Sequence, residues 1–176
     1  MLLEYLELGK IVNTHGVRGE LKVDPWCDDP SYFDYFEDVF VGKKGENSYY
    51  IENSRPHGNM VLLKLEGIDD MDQANLLRNK VLYVRREDAP IEEGRYFVAE
   101  LIGCTVSDAD TAETYGTIQD VTNTGATDIW HIKKDGKMYY MPLIPGILVD
   151  ADVANNKVTV RPIPGIFTTA EEIRND

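Results

Sequence analysis

The chain has 176 residues, 43% of them hydrophobic and 28% charged, enough to bury one large core or two modest ones. Thirty-one acidic residues against eighteen basic ones give a formal net charge of −13, and the deficit runs through both halves. Holding naked nucleic acid by neutralising its phosphates needs a basic footprint, which this chain lacks overall; an acidic surface instead suits a basic protein partner. Cys27 and Cys104 lie far apart with no CxxC pair, as expected of thiols used as small apolar side chains in a reducing compartment. Met1-Leu2-Leu3-Glu4-Tyr5 carries neither a basic region nor a long apolar run, and no stretch approaches the roughly 18 apolar residues of a membrane span. A cytoplasmic protein without a signal peptide is expected.

Along the chain, alternating runs Tyr5–Val12 and Glu20–Asp24 flank the corner His15-Gly16-Val17-Arg18-Gly19. Two glycines three residues apart predict a tight strand–turn–strand, because glycine tolerates positive φ and lets another backbone come close. Further strand-like runs follow at Asp38–Val41, Ser48–Asn53, Met60–Leu65 and Val81–Arg85, separated by turn-forming residues. This spacing predicts a small closed or nearly closed antiparallel barrel. One short helix interrupts it over Asp70–Arg78, opening with acids and placing Met71, Ala74 and Leu77 at helical spacing.

Ala89–Gly94 breaks the pattern with Pro, Gly and no periodicity. The division expected is therefore residues 1–89, a linker over 90–95, and residues 96–176. The second half restarts with runs at Leu101–Val106, Tyr115–Thr122, Asp128–Lys133, Lys137–Met141 and Lys157–Val160. Asp135-Gly136 signals a hairpin between two of them, and Asn155-Asn156 a turn before the last. A second small β-barrel results, making the whole an all-β chain of two barrels with one short helix. Thr169–Arg174 either adds a short helix or frays, and fraying is expected near a chain end.

The parts of a catalytic centre do not assemble. His15, His57 and His131 are isolated in sequence from one another and from both cysteines, with no HExxH or other metal-ligand spacing, so no metal is expected. There is no GxSxG elbow. Gly42-Lys43-Lys44-Gly45 lacks Walker spacing and reads as a hairpin loop. The corner leads into a strand and not into a helix N-terminus, which argues against a phosphate-gripping nest. Acid pairs such as Asp28-Asp29, Asp69-Asp70 and Glu92-Glu93 sit at turns or helix starts, as solvated carboxylates do. No enzyme and no cofactor are expected.

Binding is better supported. Tyr96-Phe97 in a strand would point to opposite faces, leaving one ring to anchor a partner; both rings wedged between the two barrels is the other reading. For RNA, the basic candidates are Arg18, Lys43, Lys44, Arg55, Arg85 and Arg86, with Tyr32, Phe33, Tyr35 and Phe36 as rings to stack. Trp130 alternates with Ile129 and His131 and is expected in the core of the second barrel.

The segment Gly9–Val23 with its His15, Gly16 and Gly19, together with Tyr96-Phe97 and Gly103-Cys104, resembles the signature of the RimM family of ribosome maturation factors. The resemblance covers nearly the whole chain. It implies a translation-factor-like barrel followed by a PRC-type barrel, and a factor for the head of the small (30S) subunit that assists 16S rRNA processing. It implies as partner a ribosomal protein of that head, small-subunit protein nineteen, bound chiefly by the C-terminal barrel of a monomeric factor, with rRNA contact secondary. The family's aromatic pair is usually two tyrosines, so Phe97 keeps a ring and loses a hydroxyl. Pro142, the apolar Leu143 and Ile144, and Asp152 ten positions after the proline match a further family pattern and are implied partner contacts. Pro145-Gly146 stands where relatives often carry acids. Two other classes remain open on the residues: an autonomous RNA-binding module using the first barrel, and a flavin-binding barrel oxidoreductase.

Overall fold

Short apolar runs bounded by turn formers fold into strands because each must bury one face and then reverse. The computed structural model describes residues 1–91 and 95–167. Residues 92–94 of the expected linker and the segment Thr169–Arg174 lie outside the described residues. The chain divides into two compact units, Leu3–Glu92 and Glu93–Asp176 with Met1–Leu2.

The first unit holds β1 (Tyr5–His15), β2 (Glu20–Pro25), β3 (Asp38–Val41), β4 (Asn47–His57), β5 (Met60–Leu65) and β6 (Val81–Arg85). They close into a barrel in the order β1-β2-β5-β4-β3-β6, with β6 pairing back onto β1. Leu6, Leu8 and Ile11 of β1, Leu21 and Val23 of β2, and Leu63 and Leu65 of β5 are buried. β1 runs three residues past the expected Val12, because a bulge between Ile11 and Asn13 resets its register on β2 and pairing continues to His15↔Glu20. The helix α1 (Met71–Leu76) is capped by Asp70, whose carboxylate accepts from the Gln73 amide at 2.7 Å. Ala74 and Leu77 are buried as its spacing predicts, whereas Met71 is 49% exposed.

The corner between β1 and β2 depends on a contact distant in sequence. Gly16 (φ +67°) needs only its left-handed backbone, with open space where a Cβ would stand. Gly19 (φ +88°) needs more: a Cβ there would run into the carbonyl of Ile68, in the loop between β5 and α1. That loop is pinned by Lys64, whose ammonium donates to the carbonyls of Leu65 (3.0 Å) and Ile68 (2.5 Å) and to Asp69 Oδ1 (3.0 Å). Gly9 has no Cβ for a different reason, the close passage of the Asp24 carbonyl at 2.5 Å from where one would sit.

The second unit contains α2 (Val98–Leu101), β7 (Thr105–Asp108), β8 (Thr114–Asn123), β9 (Asp128–Lys134), β10 (Lys137–Pro142), β11 (Leu148–Asp152) and β12 (Lys157–Val160). Its sheet runs β10-β9-β8-β7-β12-β11, and β12 lies parallel to β7. The two edge strands do not pair with each other, yet Met141 of β10 and Leu148 and Ala151 of β11 meet in one core with Trp130, Ile132, Ile118 and Val158. The sheet therefore curls about its core without a closed ladder. Trp130 is fully buried, and its indole N–H meets no acceptor among the described residues. Asp135 and Gly136, both at positive φ, make the β9–β10 turn. Two expectations change here. The run Leu101–Val106 begins as a helical turn and only then becomes β7; and Leu148–Asp152, where no strand was expected, is an edge strand on β12. No helix among the described residues is long and apolar enough to cross a membrane.

The two corner glycines separate by substitution. Gly16→Ala should lower the stability of the first unit by about 1 kcal/mol, the cost of a left-handed Cβ. Gly19→Ala should cost about 3 kcal/mol or more, since a backbone clash adds to the φ penalty. Urea melts of the two variants check this, and equal midpoints would remove the Ile68 contact from the account.

Candidate functional site

The corner gathers the side chains the sequence singled out in the first half. The imidazoles of His15 and His57, at the ends of β1 and β4, lie 5.5 Å apart between ring centroids. Arg55 donates to both carboxylate oxygens of Glu20, at 3.3 and 3.2 Å, and Glu20 is the cross-strand neighbour of His15. Arg18 is exposed at the tip and has no hydrogen bond or ion pair to any described residue. Val17 beside it is 75% exposed.

The other basic candidates disperse. Lys43 and Lys44 are exposed on the β3–β4 turn, which closes by the Gly45 amide donating to the Gly42 carbonyl at 3.1 Å, the hairpin expected. Arg85 is already engaged: its guanidinium lies 3.7 Å from Asp38, 3.5 Å from Asp88, and 4.7 Å above the Phe40 ring. Burial pulls its pKa down, but the carboxylates of Asp88 and Asp38 together outweigh this and hold it above the ordinary value. Arg86 is half-buried after β6, its amide on the Glu4 carbonyl. The aromatic group Tyr32, Phe33, Tyr35 and Phe36 does not form a stacking face. A 3-10 turn over Pro30–Tyr35 puts residues three apart on one side, so Phe33 and Phe36 are buried and only Tyr35 is strongly exposed. Tyr32 donates its hydroxyl to the Pro90 carbonyl at 2.7 Å.

In the second unit, Tyr96 and Phe97 precede α2 and are not in a strand, so the opposite-faces expectation does not hold. The run Val98-Ala99-Glu100-Leu101 turns helically and buries the adjacent Glu100 and Leu101, which alternation would place on opposite faces. Tyr96 is half-buried against the core, and Phe97 is the helix-capping residue. Gly103 follows the helix at φ +89° and donates its amide to the Ile118 carbonyl. Pro142 ends β10; Leu143 packs on the core and donates its amide to the Asp128 carbonyl at 2.8 Å; Ile144 is 42% exposed. Asp152 has a local task, accepting from the amide and side chain of Asn155 to cap the turn before β12. Tyr140 (59% exposed) and Met138 (41%), on the same edge strand, add apolar surface, and a period of two along β10 puts both on one face.

A carboxylate–phenol pair was also missed. Asp108, ending β7, accepts from the Tyr115 hydroxyl at 2.6 Å and from the amides of Asp110 (2.8 Å) and Thr111 (2.9 Å). These bonds, the phenol's first, hold its pKa down to about 2. Burial, and then Asp108 itself, push the Tyr115 phenol up. Tyr115 stacks on Phe167 with centroids 4.1 Å apart, beside a cleft of about 470 Å³. The cleft's cations are matched within it, Lys134 to Glu113 at 3.6 Å and Arg161 to Asp110 at 3.1 Å.

Two small all-β units in tandem, the first a closed barrel and the second a curled six-stranded sheet, are the class this fold defines. The family model of the RimM N-terminal domain matches residues 6–89, and that of the RimM PRC barrel domain matches residues 98–166. The chain is 36% identical over 167 residues to the ribosome maturation factor RimM of Clostridioides difficile, covering 94% of this chain and 97% of that protein. It is 38% identical over 161 residues to the same-named protein of Clostridium botulinum, covering 91% and 95%. A crystal structure of a RimM protein from Pseudomonas aeruginosa is similar at 25% identity and a TM-score of 0.45, covering 89% of this chain and 96% of that one. The chain belongs to the RimM family.

The Asp108 pair makes stability pH-dependent in a defined window. A carboxyl whose folded pKa lies below its ordinary 3.8 stabilises fully above that value and loses the contribution as pH falls towards about 2. Tyr115→Phe removes the principal donor, so it should lower the melting temperature at neutral pH and flatten its fall between about pH 4 and about pH 2. Calorimetric scans of both proteins across that range check it; parallel curves would mean that the phenol does not set the carboxyl's pKa.

Proposed function

We propose that this chain is a maturation factor for the small ribosomal subunit, a binding protein and not an enzyme, assisting 16S rRNA processing in the cytoplasm. The observation that carries the reading is the pairing, in one chain and in order, of both RimM domains with relatives named ribosome maturation factor over more than nine-tenths of its length. Its principal partner in this reading is a basic ribosomal protein of the subunit head, small-subunit protein nineteen, held by the C-terminal unit of a monomeric factor. Supporting this are the net charge of −13, which favours a basic partner, and the exposed apolar side chains Met138, Tyr140 and Ile144 of the second unit. rRNA contact falls to the N-terminal unit, where the exposed Arg18 has no ion pair among the described residues.

Co-sedimentation of the full chain with small-subunit particles tests the reading, with melting measured alongside. Tyr96→Phe, which removes only a hydroxyl, should bind as wild type. Phe97→Ala should weaken binding by about 2 kcal/mol, the scale of an aromatic interface anchor, with a smaller change in stability. A full chain that never enters the particle fraction overturns the function. Binding by Phe97→Ala equal to wild type overturns the interface.

A further inference from the structure

We infer that the corner of the first barrel is a stacking site for an unpaired RNA base, with His15 and His57 supplying the rings and Arg18 the phosphate contact. The inference rests on the proposed function and names the chemistry by which the N-terminal unit meets RNA. Its basis is the convergence of two hairpin ends. His57 belongs to β4 and His15 to β1, strands not adjacent in the barrel, yet their rings lie 5.5 Å apart, inclined at 56°. His57 is exposed and His15 half-buried, so the pair opens to solvent and is not core packing. The Arg55–Glu20 pair ties the end of β4 to the start of β2 at 3.2 Å and holds the two rings at one place. Preorganisation of this kind lowers the ordering cost of binding.

Charge decides what such a site can hold. Glu20 neutralises Arg55, which leaves Arg18 as the one unmatched cation at the tip among the described residues. With a net charge of −13 behind it, the corner cannot track a run of phosphates. One exposed imidazole, a half-buried one beside it and one guanidinium instead suit one splayed-out nucleotide, its base on the His57 ring and its phosphate on the arginine. A duplex keeps its bases stacked away from such rings, so single strands are preferred. Two imidazoles alone do not make a metal site, and no group of three ligating side chains occurs among the described residues.

The test is fluorescence anisotropy of the full chain with a labelled, unstructured RNA of about ten nucleotides, and with the same RNA in a duplex, over a salt series. Wild type should bind the single strand at least about tenfold more tightly than the duplex. His57→Ala should weaken single-strand binding about tenfold at an unchanged salt slope, the loss of one stacking face. His57→Phe should restore binding, because the face returns without the ring nitrogens. Arg18→Ala should reduce the salt slope by about one. His57 and Arg18 are exposed, so melting temperatures should hold. Equal binding by wild type and His57→Ala, failure of His57→Phe to rescue, equal affinity for the duplex, or no RNA binding at low salt would each overturn the assignment. Particle co-sedimentation run beside it separates the two readings: particles bound without oligonucleotide binding reject this corner alone, and neither bound rejects both.

Discussion

The carbonyl of Ile68 lies where a side chain at position 19 would have to be, so the β1–β2 corner of the first barrel can close on the loop after β5 only with glycine there. The ammonium of Lys64 satisfies three acceptors there, which offsets the cost of drawing a charge out of bulk water. The same loop leads into α1: the Asp69 amide donates to the Gln73 side chain at 2.8 Å and Asp70 caps the helix. Beyond the helix, the Asn79 amide donates to the Ile11 carbonyl at 2.7 Å, and the Ile11 amide to the Lys80 carbonyl at 2.9 Å. The segment from β5 to β6 is thus fastened to β1 and β2 at both ends. The corner is rigid because a distant loop braces it.

The two units solve the problem of sheet edges differently. Pairing β6 to β1 removes edges from the first unit altogether. Among the described residues, the second unit leaves β10 and β11 unpaired on one side and blunts them, with Pro142 ending one strand and Asp150 and Asp152 on the other. The chain after β12 also returns over the sheet, the Arg161 amide donating to the Ile147 carbonyl at 2.8 Å and Phe167 stacking on Tyr115. The edge strand β10 carries exposed Met138 and Tyr140 up to its closing proline.

Local signals carried the strands of the first half, because β2 alternates buried and open positions, β3, β5 and β6 are short runs of buried apolar residues, and turn-forming residues separate most of them. They failed where the element is too short to have a period. The four-residue α2 offers no second turn to reveal helical spacing, so Tyr96-Phe97 resembled the start of a strand. They failed again where a role depends on neighbours brought together by folding. Phe33 and Phe36 look like stacking rings in the sequence and are buried by a 3-10 turn; Arg85 looks like a free cation and lies among Asp38, Asp88 and Phe40. The His15–His57 contact has no sequence signature, since nothing near either residue refers to the other. Gly16 and Gly19 could be read as one motif, but only the Ile68 carbonyl separates a turn glycine from a contact glycine.

A strongly acidic factor proposed to work on an RNA-rich particle faces long-range repulsion from most of its target's surface. It can be held only through short-range contacts whose gain exceeds that repulsion, such as ring stacking, one arginine on one phosphate, and apolar contact with a basic protein. Such contacts are selective by construction. An extended basic surface would hold any exposed RNA, whereas a single nucleotide site and a protein surface hold only a particle that presents both together. Linking the two makes the second contact intramolecular once the first has formed, so modest individual affinities suffice. Loss of either surface as the particle matures would release the factor, because repulsion opposes whatever single contact remains.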